Sequence, residues 1–158
     1  MYRKSLTPEQ ALQKMRQYCA YQERAHAEAR NRLYTLGMRS ADVEEILSRL
    51  ITEGFLNEER YAKAFAGGKF RMKQWGRRKI RAALQLKQVS PYCIRKAMEE
   101  IPEEDYRNTL KRLALQKYAA LKGCQYLVRR ARTQQYLLQK GYEPDDIRQV
   151  MEEILKSI

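Results

Sequence analysis

Three stretches of the chain carry apolar residues at one helical spacing and in one register. Val43, Ile46, Leu47 and Leu50, then Ile94, Ala97, Met98 and Ile101, then Ile147, Val150, Met151 and Ile154 all fall at i, i+3, i+4 and i+7. Each set forms one face of an amphipathic helix. The match extends upstream without gaps, from LYTLGMRSADVEEILSRL (33–50) to LQLKQVSPYCIRKAMEEI (84–101) and LLQKGYEPDDIRQVMEEI (137–154). Every copy reads as helix end, turn, helix. Ser40, Ser90 and Glu143 are placed to cap the second helix, and Pro91 and Pro144 stand at its first position, where a missing N–H costs nothing. Gly37 and Gly141 occupy matched left-handed positions after the first helix, while Gln88 takes that place in the middle copy.

A further helix precedes each pair. Thr7-Pro-Glu-Gln10 is a capping box opening a helix with Leu12, Met15, Cys19 and Gln22 on one stripe. Asn57-Glu-Glu-Arg-Tyr61 starts another, with acids where the helix dipole favours them and Leu56 placed to staple onto Tyr61. Pro102-Glu-Glu-Asp-Tyr106 starts the third. The pattern predicts an all-α fold of three tandem three-helix repeats, residues 5–54, 55–101 and 102–158, forming an elongated, curved array. Modules of about 50 residues bury little core alone, so each is expected to lean on its neighbour. Gly67-Gly68, inside a predicted helix, reads either as close packing against a neighbour or as a soft spot.

Charge separates these modules. Residues 1–59 hold 9 basic and 9 acidic side chains, whereas residues 60–98 hold 12 basic and no acidic ones. A second acid-free window, residues 106–142, carries nine more cations, and the whole chain is at +13. Solvated helix faces ordinarily mix signs, so long acid-free stretches build a field for a polyanion or an acidic protein surface. The candidate binding residues are Lys69, Arg71, Lys73, Trp75, Arg77, Arg78, Lys79 and Arg81, with Arg129, Arg130 and Arg132 from the second window. Within the first group, Lys73, Arg77, Arg78 and Arg81 are expected to line one strip while Ile80 and Leu84 face the core. Trp75, the only tryptophan, reads as a core cap or as a surface for stacking on a base or filling a partner's pocket.

Composition removes most catalytic chemistry. The single histidine, His26, and three scattered cysteines, Cys19, Cys93 and Cys124, match no zinc-ligand spacing, and no phosphate-cradling glycine loop occurs. The cysteines read as buried thiols in a reducing compartment. No apolar run approaches a membrane span and the N-terminus lacks the apolar core of a secretory signal, so a cytoplasmic protein is expected. The expectation is a binding protein, not an enzyme, with no cofactor or metal. Net charge and the lack of a heptad seam favour a monomer.

The run Asn57-Glu-Glu-Arg-Tyr-Ala-Lys-Ala-Phe65, then Trp75-Gly-Arg-Arg-Lys-Ile-Arg-Ala-Ala-Leu84, then Ala97-Met-Glu-Glu100 resembles the bacterial RecX family, with flanking matches at 25–50 and 129–155. The resemblance implies three tandem three-helix repeats and a regulator of the RecA recombinase. Such a regulator engages the RecA filament on single-stranded DNA and restrains ATP hydrolysis and strand exchange, in DNA repair, homologous recombination and the SOS response. Weak duplex binding is also expected. Gly67-Gly68, Ala27 and Ala29 depart from the usual family pattern. The alternative is a general nucleic-acid-binding protein using trihelical units as helix-turn-helix modules; paired acids on the third helices, such as Glu44-Glu45 and Glu152-Glu153, oppose it.

Overall fold

The computed structural model describes residues 6–157. Among them the chain forms α1 (Pro8–Tyr21), α2 (His26–Thr35), α3 (Ser40–Thr52), α4 (Glu58–Gly68), α5 (Arg77–Leu86), α6 (Pro91–Met98), α7 (Glu103–Ala120), α8 (Tyr126–Gln139) and α9 (Pro144–Lys156), with a π-helical turn at Lys69–Lys73 and no strand. None of these helices is long and apolar enough to cross a membrane. Ser5 and Ile158, at the outer edges of the first and third expected modules, lie outside the described residues.

The repeat recurs atom for atom in its turns. The N–H groups of Met38, Val89 and Tyr142 donate to the carbonyls of Leu33, Leu84 and Leu137 at 3.1, 3.1 and 3.2 Å. These are the outer bonds of three Schellman motifs, which close the carbonyl ends left open by a helix. Gly37 and Gly141 take φ of 88° and 101°, and Gln88, with φ 61°, adopts the same left-handed conformation. Thr7 and Gln10 form the expected capping box, and the Ser90 hydroxyl accepts from Cys93 N–H. Two details differ from the sequence expectation. Helix α3 starts at Ser40, so Arg39 is its cap and makes no side-chain capping bond. Helix α1 ends at Tyr21, which puts Gln22 in extended, exposed backbone and off the apolar stripe.

The chain divides into two compact units, one comprising residues up to Ala64 with Leu84–Ala97, the other Phe65–Ala83 with Met98–Ile158. Leu12, Met15, Leu33, Val43, Leu50 and Leu56 centre the core of the first unit, each at most 2% exposed. Arg60 ties its loops together. Its guanidinium meets Glu23 and donates to the Gly54 carbonyl at 3.0 Å, satisfying a carbonyl past the end of α3. Arg60→Ala is expected to destabilise the protein by about 1 to 2 kcal/mol, since it removes one half-exposed ion pair and backbone bonds. An unchanged urea midpoint would contradict this. Cys19 and Cys93 are buried as expected, whereas Cys124 is only half-buried. Burial pushes the Cys19 thiol up to about 11, so it stays protonated near neutrality.

In the second unit Tyr106, Leu110, Leu137, Tyr142, Met151 and Ile154 are at most 1% exposed. Helix α4 changes to π-helical winding directly after Gly67-Gly68, and the turn ends in left-handed Gln74 (φ 58°). A methyl group on Gly67 would meet only the end of the Arg71 side chain, and one on Gly68 would meet nothing within 4 Å. Close helix packing therefore does not explain this pair. Two residues of low helix propensity precede the change of winding instead.

Candidate nucleic-acid interface

All eleven candidate residues belong to the second compact unit. Their placement starts from the way α5 is held. Gly76 N–H donates to the Lys140 carbonyl at 2.7 Å, Arg78 N–H to the Gly141 carbonyl at 2.9 Å, and Arg77 N–H to the Tyr106 hydroxyl at 3.0 Å. The amides at the start of α5 are thus satisfied by the turn between α8 and α9 and by α7. On the other side, Tyr142 OH donates to the Gln74 carbonyl at 2.9 Å, and Lys140 Nζ to the Lys73 carbonyl at 3.0 Å. Two glycines permit the approach. A Cβ on Gly76 would lie 2.3 Å from the Gly141 carbonyl carbon, and one on Gly141 2.4 Å from Lys79 Cβ. Because the first amides of α5 are bonded within the protein, they are not open to an incoming anion.

This docking divides the predicted cations by role. Arg77 turns inward, with its guanidinium 3.8 Å from the Tyr106 ring centroid and paired with Glu103. The Tyr106 hydroxyl donates to Glu143 at 2.7 Å, and burial, opposed by the Arg77 N–H and reinforced by the Glu143 carboxylate, pushes its ionisation upward. Ile80 and Leu84 are fully buried, as expected. Arg78 and Arg81, one turn apart, are exposed, as are Arg71 and Lys73. None of Lys73, Arg78 and Arg81 pairs with a carboxylate among the described residues.

Trp75 is half-buried, edge-on to Phe65 at 6.4 Å between ring centroids. Lys69 and Lys79 reach its ring at 5.0 and 4.7 Å, a geometry of cation–π attraction. One edge of the indole therefore packs on protein while two ammonium groups accompany the ring.

The second window also divides. Arg129 is half-buried, donates from Nε to the Tyr118 carbonyl at 2.7 Å and stacks 3.6 Å from the Tyr118 centroid, clasping α8 to the end of α7. Arg130 is half-exposed and Arg132 exposed. These two lie roughly 12 to 15 Å along α8 from Lys140, at about 1.5 Å per residue. The two cation groups thus stand toward opposite ends of one helix. Lys140 was not singled out from sequence, although it sits in the acid-free window beside the repeated turn. A groove of about 510 Å³ between α7 and α9 mixes the carboxylates of Glu103, Glu104, Asp146 and Glu153 with Arg107 and Lys111.

Comparison with known proteins settles the family. The model of the RecX second three-helix domain matches residues 57–98, and that of the RecX third three-helix domain matches residues 103–151. The chain is 32% identical over 138 residues to the regulatory protein RecX of Prosthecochloris aestuarii, covering 87% of this chain and 89% of that protein. The chain belongs to the RecX family. It is 26% identical to RecX of Bacillus mycoides over 87% of its own length, but spans only 51% of that longer relative. The crystal structure of RecX from Lactobacillus salivarius shares the fold, with a TM-score of 0.86 at 21% identity over 96% of this chain and 97% of that one. Within the RecX frame, residues 69–81 lie in the matched second domain and residues 129–132 in the third.

Proposed function

We propose that this RecX protein is a non-catalytic, monomeric, cytoplasmic regulator that binds the RecA filament on single-stranded DNA and lowers its ATPase and strand-exchange activity. In this reading the chain is built of three modules, residues 5–54, 55–101 and 102–158, and the second supplies most of the contact. The observation that carries the proposal is a set of cations, Arg78 and Arg81 on α5 and Lys73 on the π-helical turn before it, exposed and without carboxylate partners among the described residues, where the start of α5 is fixed by hydrogen bonds. Lys69, Arg71, Trp75, Lys79, Arg130 and Arg132 extend this surface. Arg77 and Arg129 support it from within by holding Tyr106 and Tyr118.

The test is RecA's DNA-dependent ATPase with the wild-type chain and with Lys73→Gln, Arg78→Gln and Arg81→Gln combined. The wild type is expected to lower the ATPase at substoichiometric amounts, and the triple variant to lose most of this effect with helicity unchanged. If the three residues meet phosphates of a single strand, the slope of log K against log salt falls by about 2. A smaller change of slope with inhibition still lost assigns them to acidic RecA side chains. A charge-matched control replacing Lys87, Arg95 and Lys122, all exposed, is expected to inhibit nearly as the wild type does. No effect of the wild type on the ATPase at equimolar protein in low salt would refute the proposal.

A further inference from the structure

Residues 1–59 are neutral by count but not by pairing. Arg16 meets Glu53 at 2.8 Å, Arg30 meets Glu44 at 3.2 Å, Arg49 meets Glu9 at 3.0 Å, and Arg60 takes Glu23. Glu28 accepts from Ala25 N–H at 3.1 Å and is hydrogen-bonded to Tyr61. Among the described residues no carboxylate pairs with Lys14, Arg24 or Arg32.

These three cations gather about two tyrosines. Lys14, Tyr18 and Tyr21 stand at i, i+4 and i+7 of α1 and share one face. The Arg24 guanidinium lies 3.8 Å from the Tyr18 centroid and 5.9 Å from that of Tyr21, with Nε bonded to the Tyr18 carbonyl at 3.0 Å. The Arg32 guanidinium approaches Tyr18 to 5.6 Å. Tyr18 and Arg24 form the same clasp as Tyr118 and Arg129, ring under guanidinium and carbonyl to Nε. The clasp accounts for Tyr18 and fixes Arg24; it does not account for Tyr21, which is 83% exposed.

An open aromatic ring beside uncompensated cations suits single-stranded nucleic acid, whose unpaired bases offer faces for stacking while adjacent phosphates meet the cations. A duplex keeps those faces inside its own stack. We propose that Tyr21, flanked by Lys14, Arg24 and Arg32, is a stacking platform for one base of a single strand. The inference rests on the nucleic-acid part of the function proposed above and extends it to a module that charge counting sets aside.

The test measures binding of the full chain to labelled oligothymidylate at low salt, beside inhibition of RecA. Tyr21→Ala is expected to weaken oligonucleotide binding about 5- to 150-fold, the range for loss of one stacked base, without changing the salt slope. Tyr21→Trp should restore binding, and Lys14→Gln with Arg32→Gln should lower the slope by roughly 1.4. Unaltered affinity in Tyr21→Ala, while the Lys73, Arg78 and Arg81 triple variant loses affinity, would overturn this platform and leave the function proposal standing. Loss of RecA inhibition by Tyr21→Ala with oligonucleotide binding intact would also overturn it, and assign the patch to an acidic protein surface. Absence of oligonucleotide binding by the wild type would overturn this platform, while RecA inhibition, measured beside it, decides the function proposal separately.

Discussion

Gly76→Ala is expected to destabilise the second compact unit by roughly 3 to 5 kcal/mol and to abolish RecA inhibition. The added methyl carbon would lie 2.3 to 2.4 Å from backbone atoms of Gly141 and Tyr142. A backbone cannot swing aside as the end of a side chain can, so the start of α5 has to lift from the turn that holds it. Overpacking costs about 1 to 3 kcal/mol, and each displaced hydrogen bond adds about 1 kcal/mol. Those at risk join Gly76 to Lys140, Arg78 to Gly141 and Arg77 to Tyr106. For a chain of this size the melting temperature should fall by roughly 6 to 20 °C. Gly68→Ala supplies the contrast: its methyl group meets nothing, its φ of −64° is helical, and it should stabilise by about 0.5 to 1 kcal/mol. Equal melting temperatures for the two variants would refute this account of the junction.

Stability should also fall steeply in alkali, by about 4 kcal/mol per pH unit above pH about 10. Burial drives the ionisation of Tyr61, Tyr106 and Tyr142 upward. Carboxylates reinforce this at Tyr61, through Glu28, and at Tyr106, through Glu143; at Tyr142, Arg112 opposes it and Glu143 reinforces it. The folded chain therefore keeps three protons that the unfolded chain releases once pH exceeds the ordinary tyrosine value of about 10. Unfolding then releases protons, so stability present below that pH is lost as pH rises, at about 1.4 kcal/mol per unit for each group. Urea midpoints from pH 9 to 11 measure the slope directly. Tyr142→Phe should reduce it by about one third, and a midpoint constant across that range would show that these hydroxyls ionise as freely folded as unfolded.

How far the sequence discloses this molecule depends on the distance over which each feature is decided. Apolar spacing of three and four residues marks the buried faces of α3, α6 and α9, because a helix fixes its own periodicity. Even the left-handed Gln88 is legible, since the glycines of the flanking copies mark its place. Cation density is equally visible, but what each cation does is not. Arg77 and Arg129 look like their neighbours in sequence, and their partners Glu103 and Tyr118 lie 26 and 11 residues away. Lys69 meets Trp75 across a π-helical turn that ordinary helical spacing does not anticipate. Likewise, equal numbers of acids and bases in residues 1–59 conceal which cations go unpaired, because pairing follows tertiary placement.

The attachment of α5 to the turn between α8 and α9 sets a clock on synthesis. Arg77 precedes Glu143 by 66 residues in the chain, and at ~5–20 residues per second roughly 3 to 13 s separate their additions. During that interval the nascent basic helix has neither the Lys140 and Gly141 carbonyls nor the Tyr106–Glu143 bond to close its first turn. Its amides and arginines are then open together, an arrangement that attracts anions.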